Sequence, residues 1–237
     1  MRGSALARRI TRRVSIRVKR EQTTFSATQR FMEAFGADAD FSQWISVWFF
    51  EETRHPMSLL RWLELAGDTV DARFVAEGRQ STPFMKSLVG TLAINVISEM
   101  TAAEAYWQMA KGKPEALVAN IAQRIAGDEA RHGASFFTYA RRAIAASAHP
   151  DRDRLEVLKV MHFWFSASKN VSHPVNQAMQ RVQALLPAIG APLFGPPQDR
   201  IAQALGLLTG LPISKPADLA PQLLEHTKRV SALEPHA

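Results

Sequence analysis

The chain carries the same short phrase twice: Glu51-Glu52-Thr53-Arg54-His55 and Asp128-Glu129-Ala130-Arg131-His132. Each reads acid-Glu-x-Arg-His. Residues three apart on an α-helix lie about 60° apart around its axis, so Glu52 and His55 can reach one point in space, as can Glu129 and His132. A carboxylate oxygen and an imidazole nitrogen that converge are metal donors. One such pair arises readily by chance. Two, expanded in the same way and set in long helical stretches, point to a pair of metal ions. A centre with two redox metals does chemistry more often than it props up a fold.

The helices that must position these residues can be read from breaks and caps. A first helix is expected from about Ser15 to Phe35, stopping at Gly36, and Asp38 or Asp40 caps the next. That second helix holds Trp44, Trp48, Glu52 and His55 and ends near Gly67-Asp68. Residues 68–82 read as a connection. A third helix is expected over Phe84–Lys111, broken by Gly112-Lys113-Pro114, and a fourth over Glu115–Ala146. Further helices are expected over Asp151–Lys169, Pro174–Gly190, 198–208 and 216–232. No segment has strand periodicity, so the chain reads as all-α, with a four-helix core and additional C-terminal helices.

Two more carboxylates follow from height. Helices three and four are joined by a tight turn near 113–114, so they should be antiparallel neighbours. Glu129 lies about 15 residues past that turn and Glu99 about 14–15 before it, whereas Glu104 falls roughly 7–8 Å off level. For the first two helices the turn centres near residue 38. Glu52 lies about 14 residues past it and Glu21 about 17 before it, against about 5 for Glu33. The expected set is therefore Glu21 (preferred to Glu33), Glu52, His55, Glu99, Glu129 and His132. Arg54, Asp128 and Arg131 are expected to support these ligands, Asp128 through the outer nitrogen of a histidine. His162, among aromatics, reads as a core residue, and His226 as a loop or terminal residue. Pro56, directly after His55, should kink or bulge its helix and open one side of the centre.

Bulk composition limits the chemistry. Cysteine is absent from the 237 residues, which excludes disulfides and thiolate-held metals. Oxygen and imidazole donors suit iron or manganese. Apolar residues make up 46%, enough for a substantial core, and no run reaches the 18 or more apolar residues of a membrane span. The net charge of +7 is concentrated in residues 1–20, which carry eight basic side chains and no acid. This basic segment, set before a single domain over residues 15–232, reads as a solvated terminus or a dock for an acidic partner rather than a nucleic-acid site. It lacks the apolar stretch of a secretory signal, so a cytoplasmic protein is expected.

Paired Glu-x-x-His helices with one Glu from each of two more describe the ferritin-like dinuclear carboxylate proteins. Within that superfamily, the two phrases resemble the Glu-Glu-Asn-Arg-His and Asp-Glu-Lys-Arg-His motifs of the soluble acyl-carrier-protein desaturases. The likeness extends to the Trp-rich segment before Glu51 and to Ser98-Glu99. It implies a ferritin-like bundle whose ligands fall on Glu52, His55, Glu99, Glu129 and His132, with Glu21 from the first helix. It also implies an O2-dependent di-iron oxidase or oxygenase that desaturates or hydroxylates an acyl chain on a carrier protein. Such a centre would hold two iron ions, or manganese at one position, with O2 as co-substrate. A ferredoxin or reductase would supply electrons, and the protein would be a homodimer. No residue beyond the metal ligands is expected to be catalytic. The chain departs from the family in placing Ala102 where a threonine is usual, with Thr101 one residue early. Alternatives are an N-oxygenase or hydroxylase of a biosynthetic intermediate, and non-catalytic iron binding. What lines the region beside Glu99 and Trp107 discriminates among them: a closed apolar tunnel favours acyl chemistry, a wider polar pocket N-oxygenation, and no cavity storage.

Overall fold

The computed structural model describes residues 11, 14–15, 18, 21, 23–68, 76, 85–112, 115–166 and 198–233. Among these there are seven α-helices and no strand: α1 (Thr24–Phe35), α2 (Ala39–Leu65), α3 (Leu88–Lys111), α4 (Ala116–Ala146), α5 (Pro150–Ser166), α6 (Gln198–Thr209) and α7 (Leu219–Leu233). The fold is all-α. No helix among the described residues is long and apolar enough to cross a membrane. The helix expected over Pro174–Gly190 lies outside the described residues.

Local chemistry accounts for the helix ends. Asp38 accepts from the Phe41 amide at 3.0 Å and so caps α2. At the other end of α2, Gly67 takes φ +78°, and the Asp68 amide returns to the Leu63 carbonyl at 2.9 Å. The third helix begins at Leu88 rather than Phe84, because Ser87 is the cap: its hydroxyl accepts from the Gly90 amide at 2.8 Å. Glu115 caps α4, accepting from the Leu117 amide at 2.8 Å and from the Trp62 indole at 3.0 Å. The first helix is not one element from Ser15. The helix over Thr24–Phe35 starts after Thr23, and Thr11, Val14, Ser15, Val18 and Glu21 are helical ahead of it.

The chain forms two compact units, and α3 and α4 each contribute to both. The first gathers the described residues up to 76 with those of Tyr106–Asp128. Its core joins Val14 and Val18 to Leu59, Trp62 and Leu63 of α2, Tyr106 and Met109 of α3, and Val118, Ala122 and Ile125 of α4. Glu21 continues the 14–18–21 spacing, which turns it to the same buried side as the two valines. Helix α1 packs on α2 through aromatic rings, Phe31 meeting Phe41 at 5.8 Å and Trp48 at 5.7 Å.

The second unit gathers Met85–Ala105 with the described residues of 129–166 and 198–233. Here α5 packs against α7 and α6, burying Leu155, Leu158 and Met161 together with Ile201, Leu205 and Leu219. His226 of α7 is 2% exposed, so it belongs to this core and not to a loop. His162 is the reverse case, an exposed residue on α5.

Candidate metal centre

In the first unit Glu21, Glu52 and His55 bring one donor atom each to within 4.8 Å of one another. All three are buried. His55 Nδ1 lies 3.6 Å from Glu52 Oε1 and 3.8 Å from Glu21 Oε2. Its other nitrogen, Nε2, lies 3.2 Å from Asp128 Oδ2. With the proton on Nε2, His55 donates to Asp128 and keeps the Nδ1 lone pair facing the two carboxylates.

The second unit repeats the arrangement with Glu99, Glu129 and His132, again within 4.8 Å and again buried. His132 Nδ1 lies 3.5 Å from Glu129 Oε2 and 3.9 Å from Glu99 Oε2. The distances in the two triads agree to about 0.1 Å. Such spacings exceed the roughly 2.7–3.2 Å of a direct hydrogen bond. They match donors around a shared ion: bonds of about 2.1 Å at angles of about 110–130° put ligand atoms about 3.4–3.8 Å apart. Buried carboxylates are costly unless a cation or hydrogen bonds compensate them. Each triad could hold a metal ion through two oxygens and one imidazole nitrogen.

The structure brings together all six residues expected as ligands, three in each triad. Glu33 is exposed and accepts from the Gln29 amide group at 3.0 Å, away from both. Arg54 and Arg131 are exposed. Two residues past the ligand glutamate is about 200° around the helix, so the exposure follows from helical geometry. The Arg54 guanidinium lies 5.5 Å over the Phe50 ring. Trp107 is 39% exposed, with the Lys111 ammonium 5.1 Å over its ring. Thr101 donates to its own helix at the Ile97 carbonyl, 2.7 Å away. Helix α2 continues unbroken through Pro56, so the bulge expected there does not form.

Three residues beside the triads are absent from the sequence-based expectation. Tyr106, fully buried, donates to Glu21 Oε1 at 2.5 Å, and Thr24 donates to Glu52 Oε2 at 3.2 Å. Gly133 follows His132, and a Cβ there would come within 3.3 Å of the Glu99 Cβ. Tyr106 lies seven residues past Glu99, two turns along one face of α3, but nothing in that spacing names Glu21 as its partner.

Comparison of the chain with protein-family models, with curated proteins and with solved structures found no match.

Proposed function

We propose that the chain is an O2-dependent non-haem di-iron oxidase or oxygenase built on a ferritin-like bundle. The observation that carries this reading is the doubled triad, two Glu-Glu-His sets with the same internal distances. The pairing of the two ions rests on the resemblance of the two acid-Glu-x-Arg-His phrases to those of the dinuclear carboxylate proteins. Oxygen and nitrogen donors without thiolate favour iron, with manganese as the alternative at one position.

Two iron ions held there would supply the redox chemistry that activates O2, with electrons replenished by an external ferredoxin or reductase. The residues of the chain provide placement. Glu21, Glu52, Glu99 and Glu129 present the oxygen donors. His55 and His132 anchor through Nδ1, and Asp128 holds the His55 ring. Burial keeps bulk water from the donors. The substrate class rests on the two acid-Glu-x-Arg-His phrases and on the eight basic residues among the first 20, which suit an acidic carrier protein bearing an acyl chain.

The test is metal analysis of the full chain expressed with iron, beside Glu129→Ala, followed by O2 uptake after chemical reduction. About two irons per chain, lost in the variant, with O2 consumed stoichiometrically, is the expected result. Continued uptake of iron far beyond two per chain would identify a storage protein. No bound metal in the wild type would end the enzymatic reading.

A further inference from the structure

Glu21 and Glu52 share a feature beyond their place in the first triad. Each turns one oxygen toward His55 Nδ1 and has the other held by a hydroxyl from another segment. In Glu21, Oε2 faces the histidine at 3.8 Å while Oε1 accepts from Tyr106 at 2.5 Å. In Glu52, Oε1 faces it at 3.6 Å while Oε2 accepts from Thr24 at 3.2 Å. The donors are 85 and 28 residues away in sequence, and both are buried, so these are tertiary contacts shielded from water. A hydroxyl donating to a carboxylate inside the protein is among the stronger hydrogen bonds.

A carboxylate chelates one ion only when both oxygens swing onto it. For a glutamate whose outer oxygen is tied to a hydroxyl anchored elsewhere in the fold, that swing stretches the hydrogen bond and is opposed by it. We propose that Tyr106 and Thr24 are positioning residues that hold Glu21 and Glu52 to one-oxygen binding, so that each of these two carboxylates gives a metal one bond instead of two and leaves coordination positions open. The proposal rests on the metal-binding reading above. On this account the two hydroxyls decide how many bonds the ion receives, and through that the room left for an exogenous ligand and the preference among metals.

Cobalt(II) reports this directly, because low-coordinate cobalt(II) absorbs visible light far more strongly than six-coordinate cobalt(II). Cobalt(II) is titrated into the metal-free full chain and into Tyr106→Phe, Thr24→Val and Thr24→Ser, with thermal melts as a check of folding. The wild type and Thr24→Ser are expected to give strong visible bands at saturation. Tyr106→Phe and Thr24→Val are expected to bind the same number of ions with bands weakened by about half or more, as the freed carboxylates chelate. Cobalt bound with identical spectra in all four chains would overturn the proposal and leave the metal site standing. Failure of the wild type to bind cobalt would overturn both. Should Tyr106→Phe not fold, the contrast between Thr24→Val and Thr24→Ser decides alone.

Discussion

The two acid-Glu-x-Arg-His phrases make matching triads on different backbones, and the difference lies in the residue after the histidine. In the first it is Pro56, buried inside α2; in the second it is Gly133, buried inside α4. Pro56 donates no amide hydrogen to the Glu52 carbonyl, yet the helix continues through it. Gly133 withholds a side chain, which lets α4 come close to Glu99 on α3. The donor spacing is what recurs, and the local packing that delivers it is not. A metal-binding phrase can therefore be repeated without repeating its surroundings.

The largest effects should come from removing the nitrogen donors one at a time. His55→Ala and His132→Ala are each expected to lower bound iron from about two per chain to about one, with the remaining ion in the other triad. Loss of both ions from either variant would show that neither triad holds a metal alone. Next comes the support of the first triad: Asp128→Asn should weaken metal binding there by about 10–100-fold, read by competition with a chelator. An unchanged affinity would mean that the His55 ring is held by packing.

The residues after the histidines should respond with opposite signs. Pro56→Ala supplies the missing amide hydrogen in a helix interior where proline costs about 3 kcal/mol against alanine; after the loss of some buried contact, a gain of about 1 kcal/mol in unfolding free energy is expected. Gly133→Ala gains helix propensity, but its Cβ meets another Cβ fixed to the α3 backbone. Overpacking of about 1–3 kcal/mol should outweigh the gain of about 1 kcal/mol. Denaturant titration of both variants settles the comparison, and a shift of the same sign in both would break it.

The smallest effect belongs to the first unit alone. Glu115 has its carboxyl held below the usual value by the Leu117 amide, then by the Trp62 indole. A depressed folded-state pKa stabilises the fold above the unfolded value near pH 4.3 and loses that contribution as pH falls through the folded value. Glu115→Gln should lower stability at pH 7 by less than about 1 kcal/mol and flatten the acid limb of the unfolding curve. An acid limb identical to the wild type would remove the cap from that account.

Local signals are the legible part of this molecule. Asp38, Gly67 and Glu115 set helix ends through neighbours a few residues away, and the two phrases declare their own chemistry. Glu99 is within reach because a tight turn converts residue count into height. Tyr106 and Thr24 are not, since a bond across 85 or 28 residues leaves no mark in spacing. Ser87 goes unread because the third helix is expected to start three residues earlier, at Phe84. His226 reads wrongly from sequence although Leu219, His226 and Val230 fall on one face of α7; its position near the chain's end outweighs a pattern that is present. Arg54 and Arg131 are assigned by proximity in sequence, and both are exposed.

The close approach at Gly133 makes that position a dial. The side chain there is not a ligand, yet each atom added to it is transmitted to the Cβ of one. A graded series at residue 133, from glycine through alanine and serine to threonine, would displace Glu99 in small steps while leaving every donor atom chemically intact. The placement of the second triad's donor atoms could then drift under selection without any of its three residues being exchanged.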